Sequence, residues 1–199
     1  VLPTTFTDSS SMVDTDIKGR IGLGAWNTNI TYSNVKLTSN IDGTVLFEDD
    51  FDDLSAWTTG TGAWSVSDGK LQQTAILGDC RIWTGDPNWS NYTYEFTARK
   101  NSGSEGFLIM VGQQDSDNFY WINLGGWNNE RSNIEKTKNG VKYEVAQSIP
   151  GGFEANRDYN IKVVVDGNNI KCYVDGDLMF DYTDYEEIDC PLYYVSQRD

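Results

Sequence analysis

Short apolar runs rich in Val, Ile, Tyr, Phe and Trp recur along the chain between turn signals, and helical periodicity is nearly absent. A strand half buried against a core repeats every second residue, whereas a helix repeats about every 3.6, so this pattern predicts an all-β, two-sheet antiparallel β-sandwich. From Tyr92 to Lys100 the alternation is clean: Tyr92, Tyr94, Phe96 and Ala98 point one way and Thr93, Glu95, Thr97 and Arg99 the other. Gly106 to Val111 (GFLIMV) is apolar on both faces. That predicts a mid-sheet strand, covered by the core on one side and by a loop or ligand surface on the other. The C-terminal third reads as a meander with turns at Asn139-Gly140, Asp166 to Asn169 and Asp175-Gly176. There Tyr159, Ile161, Val163 and Val165 should pair with Ile170, Cys172 and Val174 to form a core wall.

Nearer the N-terminus, Arg20 to Leu23 and Ile30 to Leu37 read as two strands around the turn Trp26-Asn27-Thr28-Asn29, and residues 19–38 are expected to form a hairpin of the sandwich. Val1 to Lys18 has no period and is expected to be an extended lead-in. No Pro- or Ser-rich linker divides the remainder, so residues 19–189 are read as one domain and 190–199 as the start of a linker or of a following domain.

Composition narrows the function classes. With 30 acidic against 15 basic side chains, the net charge of −15 repels phosphate backbones and anionic membrane surfaces, so nucleic acid and membrane are not expected partners. The chain has no histidine, which removes Ser/His/Asp and Cys/His nucleophile systems and His-based zinc sites together. Any catalysis would rest on carboxylates. Cys80, Cys172 and Cys190 have no CxxC spacing; buried thiols are the simplest reading, and one disulfide plus a free thiol stays open.

Three segments carry a family resemblance: GRIGLGAWNTNITYSNVKL (Gly19 to Leu37), DDFDDLSAWTTGTGAWSVSDGKLQQ (Asp49 to Gln73) and NIKCYVDGDLMFDY (Asn169 to Tyr182). They resemble the concanavalin-A-like (laminin-G-like) jelly-roll domains attached to bacterial glycoside hydrolases, including levan-binding modules of carbohydrate-binding module family 66. With SEGFLIMVGQQDSDNFYWINLGGWNNERSNIE added, the chain resembles the accessory domain of α-L-arabinofuranosidases of glycoside hydrolase family 51. The resemblance implies a jelly roll that is itself non-catalytic and holds a terminal or side-chain sugar of arabinose, xylose or fructose type. It further implies a monomer acting beside a catalytic domain in cis, in a secreted or cell-surface bacterial enzyme. One departure is plain: in most such modules the GRIGLGAWNT-type segment comes last, and here it precedes the D-F-x-x-L-x-x-W opening. Either the strand order is permuted or the domain is inserted in its parent.

Sugars are held by aromatic faces against their C–H patches and by carboxylates, carboxamides or guanidinium groups at their hydroxyls. Asn118 to Glu135 carries that chemistry, with Trp121, Asn123, Trp127, Glu130, Arg131 and Glu135, and alternation puts Phe119, Trp121 and Asn123 on one face. The expected site is the wet end of this stretch, Asn123 and Trp127 to Glu135. Trp127 could instead pack its own loop, and Trp121 could be core. Glu105, which matches the family's EGF motif, Arg81 and Trp26 are expected to complete the site; the plain alternatives are a turn charge, a surface arginine and loop packing. The acidic run Glu48, Asp50, Asp53 has the oxygen ligands calcium prefers but lacks the D-x-D-x-D-G spacing, so a structural calcium and a solvated loop are both open and no cofactor is required. Two rival functions remain: a spacer packed on the catalytic domain, and an autonomous hydrolase using Glu130 and Glu135.

Overall fold

A computed structural model describes residues 16–185. Two antiparallel sheets face each other. Numbering strands along the chain, the first sheet runs β12 (Val141–Glu144), β11 (Arg131–Lys138), β10 (Asn118–Gly125), β9 (Phe107–Asp115), β1 (Arg20–Ala25), β7 (Cys80–Thr84), β4 (Thr58–Thr59), with β13 (Ile149–Pro150) on β11. The second runs β16 (Asp177–Thr183), β15 (Asn169–Val174), β14 (Asp158–Asp166), β8 (Tyr92–Gly103), β2 (Thr28–Ser39), β6 (Lys70–Gln73), β5 (Trp64–Ser67), with β3 (Val45–Asp49) on β2. This is the expected all-β sandwich.

The local periodicities land where the alternation put them. Tyr92, Tyr94, Phe96 and Ala98 are buried in the core. Val165, Val163 and Ile161 pair with Ile170, Cys172 and Val174. β9 lies mid-sheet and is apolar on both faces for two reasons: Phe107, Ile109 and Val111 enter the inter-sheet core, while Leu108 and Met110 join Phe119 and Trp121 in a separate cluster on the other face. Cys80 and Cys172 are buried free thiols, and burial pushes Cys172 up to about 12.

The expected hairpin at residues 19–38 is not formed. β1 pairs with β7 and β9 in the first sheet, whereas β2 pairs with β8, β3 and β6 in the second. Leu23 and Ala25 on β1 and Ile30 and Tyr32 on β2 all face the same core, so the chain must cross from sheet to sheet between them. Asn27, at φ 48°, makes that corner. Two strands joined by a short polar link usually pair, and this segment is an exception because both edges of each strand are taken by other strands: β7 and β9 flank β1, and β8 with β6 and β3 flank β2. Of the expected lead-in, residues 1–15 lie outside the described residues, as do 190–199 and Cys190; Ile17 is already buried and its N–H donates to Gly167 O at 2.9 Å.

Three tyrosines of the second sheet reach across the core to the backbone of the first. Tyr32 donates its hydroxyl to Gly24 O at 2.7 Å, Tyr94 donates to Gly22 O at 3.5 Å, and the Gly112 N–H donates to the Tyr92 hydroxyl at 3.4 Å. All three rings are fully buried, and desolvation of the phenolate raises each hydroxyl far above the ordinary tyrosine value of about 10. Because the folded pKa exceeds the unfolded one, their contribution to stability is complete below about pH 10 and is lost as pH rises beyond it. Urea midpoints should therefore fall steeply above about pH 10. Tyr32→Phe, which strands a buried carbonyl, should cost about 1–3 kcal/mol at neutral pH and flatten that alkaline loss; no change in either would show that these bonds do not tie the sheets.

Candidate functional site

The outer face of the first sheet carries an apolar floor of Leu108, Met110, Phe119 and Trp121, with Trp83 packed against it. The floor is possible because β1 has no side chains there. A Cβ on Gly24 would stand 2.8 Å from the Trp121 ring and 3.2 Å from Leu108 Cβ. Phe119 and Trp121 meet edge to face at 5.4 Å.

Beside this floor a cavity of about 210 Å³ is lined by Trp26, Glu105, Leu108, Asn123, Trp127, Glu135 and Lys142. Its parts arrive from four places in the sequence. Trp26 stands at the corner after β1; Thr28, just past it, donates its hydroxyl to Trp26 O at 2.8 Å and accepts the Glu105 N–H at 3.0 Å. The corner thus fixes Trp26 and Glu105 together. Asn123 and Glu135 face outward from β10 and β11, and Asn123 Nδ2 lies 3.4 Å from Glu135 Oε2. Lys142 Nζ approaches the same oxygen at 3.6 Å and stands 5.4 Å from the Trp26 ring centre.

Trp127 is held by an unusual backbone. Residues Gly126–Asn129 form one turn in which Trp127, Asn128 and Asn129 all have positive φ, at 50°, 61° and 66°. Such a left-handed turn costs roughly 1–2 kcal/mol per non-glycine residue. It is held in place from outside: Asn129 accepts the Phe153 N–H at 2.8 Å and donates to Phe153 O at 3.0 Å, and Ser132 Oγ accepts the Gly125 N–H at 2.9 Å. Gly126 is required by close approach, since a Cβ there would lie 2.6 Å from the Asn123 carboxamide. The Arg131 guanidinium lies 3.6 Å from the Trp127 ring centre while donating to Glu144 from Nη1 and Nη2, at 2.7 and 3.0 Å. The ring is fixed at the cavity edge.

Glu105 is partly buried, and its carboxyl is raised above the usual range, first by desolvation and further by the neighbouring Glu135; the Asn128 backbone N–H and the Lys142 charge oppose the rise. Two carboxylates, a carboxamide and an ammonium therefore meet between two indoles. A carboxylate has about four acceptor positions, so contacts at Glu135 Oε2 do not exhaust it. The arrangement suits a neutral ring bearing several hydroxyls.

Of the residues expected from sequence, Trp26, Glu105, Asn123, Trp127 and Glu135 come together here. The other expected residues lie outside this cavity. Arg81 lies in a neighbouring depression, where Nε and Nη2 hold Asp79 at 3.1 and 2.5 Å. Trp121 is 1% exposed and serves as floor beneath that depression. Glu130 is exposed and lines neither cavity, because the left-handed turn carries it away, so the Glu130 and Glu135 pair is not assembled. Glu48, Asp50 and Asp53 are exposed, and among the described residues no three His, Cys, Asp or Glu cluster as a metal site. Within that run Asp49 instead takes the Phe51 N–H and the Trp57 indole, both at 2.7 Å, to seat the D-F-x-x-L-x-x-W opening on the core.

Sequence reasoning missed Leu108, Thr28 and Lys142. For Lys142 a signal existed: the Asn139-Gly140 turn pairs Thr137 with Lys142, which puts the lysine on the face of Glu135. Two larger depressions, of about 540 and 440 Å³, lie elsewhere. The first runs along Val145–Pro150, and its carboxylate Asp181 is held by Asn169 and Lys171. In the second, Lys162 covers the Tyr173 ring at 4.3 Å and Asn34 bonds Thr97 at 3.2 Å. Their polar groups serve each other, so size does not make them the better site.

Glu135→Gln should lower the Glu105 titration midpoint and Lys142→Met should raise it, followed by NMR of the Glu105 side-chain carboxyl carbon. Midpoints that move in neither variant would mean that the three charges do not share one cavity.

Residues 42–189 match the family described as 3-keto-alpha-glucoside-1,2-lyase-like domain. The chain is 43% identical over 171 residues, 84% of its length, to an extracellular exo-alpha-L-arabinofuranosidase of Streptomyces chartreusis. It is 27% identical over 135 residues, 66% of its length, to a levanase of Bacillus subtilis. It spans only about a fifth of each of these curated relatives, 20% and 19%. Among solved structures it resembles the carbohydrate-binding module CBM66 from Bacillus subtilis, with a TM-score of 0.56 and 26% identity, covering 65% of this chain and 80% of that one. No helix among the described residues is long and apolar enough to cross a membrane. The jelly-roll sheets are those of a carbohydrate-module fold, and by the match over residues 42–189 the chain belongs to the family of 3-keto-alpha-glucoside-1,2-lyase-like domains.

Proposed function

We propose that the chain is a non-catalytic carbohydrate-binding module that holds a terminal or side-chain sugar, of arabinose, xylose or fructose type, on the outer face of its first sheet. The observation that carries this reading is the convergence of Trp26, Trp127, Glu105, Asn123, Glu135 and Lys142 on one cavity of about 210 Å³. Drug-sized ligands fill roughly 300–1,000 Å³, so this volume suits a single sugar ring. The indoles offer apolar faces to its C–H patches, the carboxylates accept from its hydroxyls, and Lys142 and Asn123 donate.

The relatives support the same class: one is named for α-L-arabinofuranoside cleavage outside the cell, another for levan, and the similar solved fold is a binding module. The chain would then be one part of a larger secreted plant-polysaccharide-degrading enzyme of arabinofuranosidase type, a monomeric unit beside its catalytic domain. Tethering raises the concentration of substrate near that domain without any new contact.

Isothermal titration against arabinan, arabinoxylan, levan and their oligosaccharides tests the reading. Trp127→Gly is the sharpest variant, because glycine accepts the left-handed backbone that tryptophan occupies under strain. Its stability should stay within about 1 kcal/mol of the parent, the strain relieved offsetting the lost Arg131 contact, while affinity falls at least about tenfold. No binding to any of these glycans by the folded chain would sink the reading. Lost stability without any retention to lose would favour a spacer packed on the catalytic domain, and sugar release by the isolated chain would favour a hydrolase.

A further inference from the structure

A second depression, of about 260 Å³, adjoins the candidate site on the same sheet face and shares Trp26 and Lys142 with it. Its floor is Phe119 and Trp121, and its rim carries Arg81, Asp79 and Asp117. Arg81 sits 5.0 Å from the Phe119 ring centre, and its charge is met by Asp79, so the rim offers hydrogen bonds with little free positive charge. Thr137, on β11 opposite Phe119, lines this depression as well. Its residue is 8% exposed, and its hydroxyl oxygen is buried without a hydrogen-bond partner among the described residues. Buried hydroxyls are normally paired, and an orphan one beside a polar-rimmed, aromatic-floored hollow points to a ligand group.

We propose that this depression is a second sugar subsite, which takes the neighbouring unit of a neutral di- or oligosaccharide whose terminal unit occupies the first cavity, with Trp26 standing between the two rings. The inference rests on the binding-module reading of the first cavity. It extends that reading in one respect: the ligand recognised is at least a disaccharide, and the choice of linkage is made at Thr137, Asp117 and Arg81. A hydroxyl of the second unit satisfies Thr137 Oγ1, while the Asp117 carboxylate, exposed at the rim, accepts from another.

The test compares methyl α-L-arabinofuranoside with α-1,5-linked arabinobiose, and fructose with β-2,6-linked levanbiose, by titration calorimetry. The parent chain should bind one of the disaccharides at least about tenfold more tightly than the matching single unit, as one or two added hydrogen bonds warrant. Thr137→Val, which keeps shape and strand propensity, should erase most of that gain and leave single-unit binding unchanged; Thr137→Ser should restore it; Asp117→Asn should reduce it. Thermal unfolding of each variant separates misfolding from lost contact. If single units bind and the disaccharides add nothing, or if Thr137→Val weakens both alike, the second subsite is wrong while the first stands. If neither single units nor disaccharides bind, both readings fall together.

Discussion

The hydrogen bond from the buried Tyr32 hydroxyl to Gly24 O, 2.7 Å long, joins an interior strand of one sheet, β2, to an interior strand of the other, β1. Tyr32 and Gly24 are only eight residues apart, yet they belong to different sheets because the chain crosses the core at Asn27. Much of the molecule depends on that crossing. It sets β1 between β9 and β7 and β2 between β8 and β6, so each sheet is assembled around a strand from the N-terminal segment. The same glycine whose carbonyl faces Tyr32 leaves its outer side bare, which lets Trp121 lie across β1 and form the floor of the outer face. The corner residue Trp26 then rises at the edge of that floor, and Thr28 ties it to Glu105.

Stability and binding pull against each other at the other wall of the site. Three consecutive non-glycine residues, Trp127 to Asn129, adopt the left-handed conformation that the chain ordinarily avoids. The strain is sustained by a double hydrogen bond between Asn129 and the Phe153 backbone, and the result is an indole fixed beside Asn123 and Glu135 with a guanidinium behind it. Backbone strain concentrated beside a cavity of convergent polar groups is the pattern of a surface shaped for a ligand, since core packing alone would have relieved it.

Most of the fold could be read locally. The β8 alternation, the β14 and β15 pairing and the two-sided apolar β9 all follow from period-two patterning and two-residue turns, which short windows of sequence record. The β1 to β2 corner could not, because what separates a corner from a hairpin is pairing with β7 and β9, some 60 to 90 residues away. The site was legible to the extent that strand faces are legible: Asn123 and Glu135 follow from alternation. Glu130 was misplaced because no local pattern announces a left-handed turn beyond the Gly-Gly and Asn-Asn pairs that tolerate it. Arg81 lines the adjoining depression and not the first cavity, and Asp79, two residues before it, pairs with it at close range.

The central claim is that ligand contact belongs to the outer face of the first sheet, around Trp26 and Trp127. It is tested most directly by following the indole N–H resonances of the seven tryptophans while an arabino-oligosaccharide or levan oligosaccharide is added. The expected result is a saturable shift of Trp26 and Trp127, with Trp57 and Trp64, which lie away from the cavity, unmoved. Shifts confined to the outer face of the second sheet around Lys162 and Tyr173, or a spectrum unchanged at saturating sugar, would contradict it.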